Sequence, residues 1–177
     1  MTAAHKSDFA LTLGTPLGLM TLAEGAGAIT ALYWGSAKDH QQTALLRRAG
    51  LLLERYFAGE RVIFDVPLKP AGTAFERRVW EVLCTIPWGQ TRSYGEIARL
   101  AGGSPRAVGR AAGRNPIPVI IPCHRVVAAS GLGGFSAPGG VVTKRALLAL
   151  EGSPYPDDLF AGGDWRIDRD SKRGAMA

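Results

Sequence analysis

Two side chains that can do chemistry together stand next to each other at Cys123 and His124. A thiol reacts as its thiolate, and its free pKa of about 8.5 calls for a neighbouring base or positive charge at neutral pH. An adjacent histidine can act as that base, directly or through one water. Glu151 ends the apolar stretch 146–150 and is the candidate carboxylate that would orient the imidazole. The pattern predicts a nucleophilic cysteine.

The same pair also fits an inert cysteine, because buried cysteines usually pack as small hydrophobes. Prolines at 116, 118 and 122 favour the reactive alternative, since they fix the backbone that delivers Cys123. The other cysteine, Cys84, lies in a stretch that indicates a core helix, and we predict that it is a packed small hydrophobe. Two cysteines are too few for a four-cysteine zinc site or a disulfide framework, and we expect no metal and no cofactor.

The excess positive charge is confined to the middle of the chain. Residues 73–152 hold ten Lys and Arg against four Asp and Glu, whereas 1–72 and 153–177 are each within one charge of neutral. A localised basic field attracts polyanions, of which nucleic acid is the commonest, although a solvated basic surface has the same composition. The basic residues of this segment are Arg77, Arg78, Arg92, Arg99, Arg106, Arg110, Arg114, Arg125, Lys144 and Arg145.

Composition places the chain among globular proteins. Its 177 residues are 46% hydrophobic and 20% charged. No apolar run approaches the roughly 20 residues that span a bilayer, and residues 1–9 contain no apolar core of a secretory signal. We therefore expect a cytoplasmic protein with no membrane partner.

The first segment is typical of strands with one helix. The turn residues Gly14, Pro16 and Gly18 separate two short apolar strands, which indicates a hairpin. Leucines and aromatic residues then recur at helical spacing until Gly59. The predicted elements are strands at 9–13, 19–22, 29–34 and 62–66, a helix at 41–57 and a proline-containing linker at 67–72.

The second segment is mostly helical, and its helix starts are marked. Thr73 with Glu76 and Ser93 with Glu96 form capping boxes. Gly102 and Gly103 end the second of these helices. Ser104 and Pro105 then open a third as N-cap and first helical residue. Two short helices joined by a very short turn predict a helix-turn-helix.

The third helix, from Pro105 to about Gly113, carries Arg106 and Arg110 on one face. A glycine inside a helix costs about 1 kcal/mol relative to alanine, so Gly109 and Gly113 indicate that something approaches the backbone closely. One interpretation is a slim helix lying against DNA, even in the minor groove, which is about 6 Å wide. The other is tight packing between helices with arginines at the rim.

A family resemblance joins these observations. Pro122-Cys123-His124-Arg125 followed by Val126-Val127 resembles the active-site motif of the O6-alkylguanine-DNA alkyltransferases, also called methylated-DNA–protein-cysteine methyltransferases. The resemblance runs in order from about Thr73 to Gly152. Its other motifs are Phe75-x-x-x-Val79-Trp80, Ile86-Pro87-x-Gly89-x-Thr91-x-Ser93-Tyr94, Arg106-Ala107-Val108-Gly109, Asn115-Pro116-x-Pro118 and Leu147-Leu148-x-x-Glu151-Gly152.

The resemblance implies a role for each catalytic position. Cys123 would accept the alkyl group, His124 would deprotonate it through a bound water, and Glu151 would orient His124. Asn115 would brace the turn beside the cysteine. Tyr94 would sit over the flipped base and assist proton transfer to the leaving guanine.

The resemblance also implies the DNA contacts and the pocket. Arg106 would fill the gap that the flipped base leaves in the duplex, and further DNA contacts would come from Ala107, Arg110, Tyr94 and Arg114. The pocket residues would be Val126, Phe135, Ser136 and Lys144. The chain departs from the family pattern at Ala137-Pro138, where the stretch after Ser136 is one residue longer than expected.

We therefore expect an α/β N-terminal domain followed by a DNA-binding domain. The first, with its linker, would span residues 1–72 and be ribonuclease-H-like, with a short antiparallel sheet and a helix. The second, 73–155, would be a mainly α winged helix-turn-helix that carries the site. A C-terminal tail, 156–177, would follow.

The expected function is direct reversal of DNA damage by a monomer. An alkyl group would pass irreversibly from O6-alkylguanine, and as a second substrate O4-alkylthymine, in double-stranded DNA to Cys123. The protein would reach the lesion through the minor groove. Three alternatives remain open at this point: a protein that binds lesions without transfer, a Cys-His hydrolase, and a helix-turn-helix regulator.

Overall fold

The structure is a computed structural model that describes residues 9–37 and 41–153. The predicted C-terminal tail, 156–177, lies outside the described residues. Among those residues, no helix has both the length and the apolar character needed to cross a membrane.

An antiparallel sheet of three strands forms the N-terminal part. β1 (Phe9–Thr15), β2 (Gly18–Gly25) and β3 (Ala28–Trp34) follow one another in both chain order and sheet order. The predicted hairpin and the third strand are confirmed. The second turn has two residues, Ala26 and Gly27, and both have positive φ, as a type I′ hairpin turn requires.

One helix packs on this sheet. α1 (Ala44–Phe57) begins at Ala44 rather than at the predicted Gln41, because the side chain of Thr43 caps it by accepting from the backbone N–H of Leu46. Its buried face includes Leu46, Leu53 and Tyr56, all fully inaccessible to solvent. The end of α1 therefore places an aromatic ring deep in the molecule.

The predicted strand at 62–66 is wrong. This segment forms no ladder, and it bends where the N–H of Asp65 donates to the carbonyl of Ile63. The pairing occurs instead in the predicted linker, where the carbonyl of Pro67 accepts from Ile29 and the N–H of Lys69 donates back to it. Proline is tolerated there because the pairing uses its carbonyl, and the N–H that it lacks is not needed.

Three helices follow, and their starts match the sequence signals. They are α2 (Ala74–Cys84), α3 (Tyr94–Ala101) and α4 (Pro105–Gly113). Both capping boxes are formed, with Thr73 and Ser93 as the N-caps of α2 and α3. Ser104 caps α4 directly before its N1 proline. Only three residues separate α3 from α4, so the two helices pack as neighbours.

The C-terminal part brings the Cys-His motif back against α3. Cys123–Arg125 form a 3₁₀ turn, and β5 (Val126–Val127) pairs in parallel with β4 (Arg92–Ser93), directly before α3. This short parallel pair is not indicated by the sequence. α5 (Val141–Leu150) closes the described part, and Glu151 is its C-cap.

The buried residues form one cluster that runs through both halves. Met20 and Leu32 from the sheet belong to it, as do Trp80 from α2 and Ile120 from the approach to the motif. The backbone N–H of Leu32 also donates to the carbonyl of Pro116. The N-terminal sheet therefore supports the segment that leads to Cys123.

Candidate active site

A tight turn upstream of the cysteine holds the reactive segment. The side-chain oxygen of Asn115 accepts from the N–H of Ile117, and its amide nitrogen donates to the carbonyl of Ile121 at 2.8 Å. Val119, inside the turn, has φ of 73°, a left-handed conformation that is strained for a β-branched residue. The buried surroundings and the bonds of Asn115 hold the turn in this conformation.

Cys123 stands at the start of the 3₁₀ turn with 7% of its surface exposed. The amide nitrogen of Asn115 donates to its Sγ over 3.2 Å. Burial raises the pKa of the Cys123 thiol, while the Asn115 hydrogen bond and the charge of Lys144 oppose that effect. The thiol is therefore protonated at neutral pH and needs a base before it can react.

His124 and Glu151 form the adjacent pair, as the sequence predicts. Nε2 of His124 lies 2.7 Å from Oε1 of Glu151, and both side chains are fully buried. A carboxylate can only accept, so the neutral imidazole carries its proton on Nε2. Nδ1 is then the free lone pair, and within the described residues it is the buried side-chain polar atom that lacks a hydrogen-bond partner.

The protonation states of this pair suit a base. Burial lowers the pKa of His124, Glu151 opposes that effect, and Arg125 and Lys144 add to it, so the imidazole is neutral at physiological pH. Burial alone would raise the pKa of Glu151, but the hydrogen bonds and charges of His124 and Arg125 lower it to about 2. Glu151 is therefore an anion that orients a neutral histidine.

Arg125 is a partner of Glu151 that sequence reasoning missed. Its Nε and Nη2 bind the two carboxylate oxygens at 2.8 and 2.9 Å, and its Nη1 donates to the carbonyl of Ile86. The N–H of Gly89 donates to the same carboxylate. Gly89 has φ of 74°, and a Cβ there would lie 2.8 Å from the carbonyl oxygen of Glu151, so the position requires glycine.

Tyr56, from α1, is a second missed partner. Its hydroxyl donates to Oε1 of Glu151 at 2.8 Å and lies 3.4 Å from Nε2 of His124. In the sequence Tyr56 is one member of the apolar stripe of α1, and its local pattern indicates only a core position. The contact joins residues 95 apart in the chain, so no local signal could have found it.

Lys144 supports the loop that follows β5. It is fully buried, and its Nζ donates to the carbonyls of Val126 and Leu132 at 2.6 Å and of Gly134 at 3.2 Å. Burial lowers its pKa to about 8, against the opposing effect of the Cys123 thiolate. Lys144 and Val126, both predicted as pocket residues, are not among the residues that line the pocket in front of α4.

An open pocket of about 630 Å³ lies in front of α4. Five predicted site residues line it, from α3, α4 and the loop after β5: Tyr94, Arg106, Arg110, Phe135 and Ser136. Cys123 is not among the lining residues; burial, and then the charge of the Cys123 thiolate, raise the pKa of the Tyr94 phenol. The other lining residues are Pro105, Gly109, Gly113 and Gly134.

The glycines of α4 face pocket side chains. A Cβ at Gly109 would lie 3.8 Å from the ring of Tyr94, and one at Gly113 would lie 3.0 Å from Oγ of Ser136. On the other side of the ring, a Cβ at Gly133 would lie 3.1 Å from Tyr94. The close approach that the sequence indicates is therefore made by Tyr94 and Ser136, and the two glycines leave room for these side chains beside α4.

Three further residues named in the sequence predictions, Arg114, Ala107 and Cys84, do not line the pocket. Arg114, predicted to contact DNA, donates to the mostly buried Glu76, but its side chain is still 72% exposed. Ala107 is half-buried on α4 and does not line the pocket. Cys84 is exposed on α2, so the prediction that it is a packed core residue is wrong, because α2 turns that face to solvent.

No cluster of three or more potential metal ligands (His, Cys, Asp or Glu) occurs within the ranges 9–37 and 41–153. The groups described above that can do chemistry are a cysteine, a histidine and a carboxylate. A histidine oriented by a carboxylate can generate a thiolate from a nearby thiol.

Comparisons with known proteins agree with this geometry. Residues 74–153 match the family described as 6-O-methylguanine DNA methyltransferase, DNA binding domain. The methylated-DNA–protein-cysteine methyltransferase of Mycobacterium tuberculosis (strain H37Rv) is 47% identical over 158 residues, 84% of this chain and 94% of that protein. The constitutive enzyme of that name from Bacillus subtilis (strain 168) is 39% identical over 165 residues, covering 85% and 99%.

A solved structure shows the same similarity. The Mycobacterium tuberculosis protein OGT, crystallised in complex with DNA, superposes with a TM-score of 0.73 at 46% identity. The match covers 85% of this chain and 97% of that one. Both halves of the molecule are therefore shared, and this chain belongs to the methylated-DNA–protein-cysteine methyltransferase family, enzymes that repair DNA by direct reversal.

Proposed function

We propose that Cys123 is the acceptor and that this chain transfers an alkyl group from O6-alkylguanine, and also O4-alkylthymine, in duplex DNA to its sulfur. The observation that carries the proposal is the position of one thiol. Cys123 is held by Asn115, follows directly on a strained turn, and precedes a histidine whose Nε2 is bound to an ionised carboxylate. The pocket that would hold the base lies against Tyr94.

The transfer step is a nucleophilic displacement at a saturated carbon, with guanine as the leaving group. His124, through Nδ1 and a water, takes the proton of the Cys123 thiol. The thiolate sulfur attacks the alkyl carbon, the new S–C bond forms, and the C–O6 bond breaks with its electron pair leaving on guanine. The phenol of Tyr94 assists proton delivery to the departing base, which makes guanine a better leaving group.

The reaction stops after one turnover. The product is a thioether, which has neither a thiolate nor a good leaving group. Thiol exchange reverses a disulfide by attack on sulfur, but it does not cleave the S–C bond of a thioether, so the thiol of Cys123 is not restored. We expect each chain to be consumed with its substrate.

Binding to DNA is supported by charge and by α4. Arg106 and Arg110 line the pocket on the segment that carries the whole net charge of +6. The alkylated atom lies inside the base stack, so the nucleotide must leave the duplex at a cost of a few kcal/mol, and an inserted side chain offsets part of it. We assign that insertion to Arg106, from the minor groove, because α4 is slim enough to enter it.

The finer architecture belongs to the same proposal. We infer a ribonuclease-H-like unit over 1–72 and a winged helix-turn-helix over 73–155, with α3 and α4 as its helices. One such monomer holds every group named in the reaction. The similar protein that was solved in complex with DNA supports this mode of action.

The test is a mass measurement. The protein is incubated with a duplex that contains O6-methylguanine, then weighed intact and digested for peptide mapping. We expect one methyl group per chain, on the peptide that contains Cys123 and not on the one that contains Cys84. Binding without mass gain would show a lesion-recognition protein, and repeated turnover would show a hydrolase; either result overturns the proposal.

A further inference from the structure

The hydroxyl of Tyr56 is the one N-terminal group that touches the catalytic set among the contacts described above. Tyr56 lies in the last turn of α1 with none of its surface exposed. The hydroxyl, the only polar atom of its side chain, donates to Oε1 of Glu151 at 2.8 Å and stands 3.4 Å from Nε2 of His124. The sheet-and-helix unit thus contributes a polar atom to a site that is otherwise built from residues 89–151.

Aromatic neighbours fix where this hydroxyl can be. The ring of Tyr56 meets Phe57 and Trp88 edge-on, each with centroids 5.2 Å apart, and lies 5.9 Å from Phe64. Such edge contacts restrict the orientation of a buried ring. A buried phenol also needs a hydrogen-bond partner, because leaving it unpaired costs free energy. The nearest partner of the hydroxyl is Oε1 of Glu151.

Oε1 of Glu151 consequently accepts from three groups. Tyr56 binds at 2.8 Å, His124 at 2.7 Å and Arg125 at 2.9 Å. Oε1 of Glu151 is the close partner of the His124 ring, because the Tyr56 hydroxyl lies farther from Nε2, at 3.4 Å, and Nδ1 is unpaired. The direction of Nδ1, which must receive the thiol proton, therefore depends on where Oε1 is held.

We propose that Tyr56 is a positioning residue for alkyl transfer: its hydroxyl fixes Oε1 of Glu151 against His124 and shares the negative charge of that oxygen. The proposal rests on the proposed function of Cys123 and His124. It gives the N-terminal unit a part in the chemistry in addition to its part in folding.

The electrostatic surroundings keep this hydroxyl a donor. Burial, and then the charge and hydrogen bond of Glu151, raise the pKa of Tyr56 well above its ordinary value, against an opposing effect of Arg125. The charged groups that act on the neighbouring imidazole are Glu151, Arg125 and Lys144. Tyr56 therefore stays protonated and donates to the Glu151 carboxylate at neutral pH.

Removing the hydroxyl of Tyr56 should raise the pKa of His124. Without Tyr56 as a donor, Oε1 places more negative charge on His124, and the pKa of His124 rises. His124 acts as a base only when neutral, so the acidic limb of the rate profile moves to higher pH, by roughly half to one unit. Looser positioning of the imidazole lowers the plateau, by about tenfold.

The experiment compares Tyr56→Phe with Tyr33→Phe, which removes the phenol hydroxyl of a residue in β3. Single-turnover methyl transfer from an O6-methylguanine duplex is measured from pH 5 to 9, with the folded fraction measured by circular dichroism at each pH. We expect a slower plateau and a displaced acidic limb for Tyr56→Phe, and a wild-type profile for Tyr33→Phe.

Two results overturn the inference. One is a profile of Tyr56→Phe that equals the wild type. The other is a uniform loss, with an unmoved limb, that follows the folded fraction, since this is what a purely structural role would give. Failure of the wild type itself to take up a methyl group defeats the proposed function instead, so the two failures are distinguishable.

Discussion

The amide nitrogen of Asn115 lies 3.2 Å from Sγ of Cys123 and donates to it, while the same side chain holds both ends of the turn that precedes the cysteine. One side chain thus places the nucleophile and stabilises its charged form. The contact also explains why the asparagine lies eight residues upstream: the turn between them folds back and brings the two together.

Replacing Asn115 should slow methyl transfer, because it raises the pKa of the Cys123 thiol. A hydrogen bond to a charged group is worth about 1.5–3 kcal/mol, so Asn115→Ala should raise the pKa of Cys123 by about one to two units and slow methyl transfer at pH 7 by tenfold or more. Asn115→Asp keeps the oxygen that accepts from Ile117 but sets a negative charge beside the sulfur. It should be slower than Asn115→Ala in single-turnover assays; an aspartate variant as fast as the wild type would contradict the role.

Cys123 should be needed for transfer and not for binding. Cys123→Ala should take up no methyl group, yet its affinity for DNA should stay within about threefold of wild type, because phosphate contacts dominate affinity. Fluorescence anisotropy at one fixed salt concentration measures binding, and intact mass measures transfer. Cys84→Ala, which removes the exposed thiol of α2, is the matched control and should transfer normally. A collapse of affinity in Cys123→Ala would show that the two roles are not separate.

Arg106 should matter for duplex DNA more than for the chemistry. Arg106→Ala should slow repair of a duplex by roughly tenfold to a hundredfold, since base extrusion costs a few kcal/mol. Its reaction with a free O6-alkylated guanine, which needs no extrusion, should change little. Arg61→Ala removes an exposed arginine from the N-terminal part and controls for net charge. Equal slowing of Arg106→Ala on both substrates would exclude insertion.

The sequence predicts the parts of this site that local chemistry controls. Thr73 and Ser93 predict the starts of α2 and α3, because each N-cap residue and the glutamate of its capping box lie within one turn of helix. Cys123 and His124 are adjacent in the chain, and Glu151 is identified as the end of an apolar helix. These predictions need no knowledge of how distant segments pack.

The parts that depend on distant segments were not predictable. Tyr56 and Arg125 meet at Glu151 although they lie far apart in the chain, and each has an ordinary local pattern. Lysine is usually a surface residue. Lys144 is buried, and hydrogen bonds from its Nζ to three backbone carbonyls compensate the cost of burying its charge. The segment 62–66 has strand-like composition but no neighbour with which to pair. In each case the position of the residue or segment depends on contacts, made or missing, with parts of the chain distant in sequence.

Acid should destabilise the fold through Glu151. Its pKa is about 2 in the native state and 4.5 in the unfolded chain, so the unfolded state binds more protons between these values. The carboxylate therefore contributes stability that is fully present above pH 4.5 and is lost as pH falls toward 2, in total about 3 kcal/mol. Urea unfolding at pH 6, 4 and 3 measures the loss.

Variants separate this buried pair from surface pairs. Glu151→Gln leaves Arg125 without its carboxylate and should cost about 3–5 kcal/mol at pH 6, with a smaller further loss in acid. Asp65→Asn breaks an exposed pair with Arg48 and should cost at most about 1 kcal/mol. A wild-type stability that does not change between pH 6 and 3 would contradict the assignment.

The width of the pocket should depend on Gly113. A Cβ there would stand 3.0 Å from Oγ of Ser136, closer than a relaxed contact, so Gly113→Ala must push Ser136 or narrow the pocket. We expect transfer of a benzyl group to slow by about tenfold or more relative to methyl, because even about 1.4 kcal/mol of steric cost is a factor of ten. Gly109→Ala, whose Cβ would meet Tyr94 at an ordinary 3.8 Å, is the matched helical control and should keep the wild-type ratio. Both variants gain helix propensity, so a selective loss with benzyl in Gly113→Ala reports pocket width and not stability; equal benzyl-to-methyl ratios in the two variants would show that Ser136 yields and that the pocket boundary lies elsewhere.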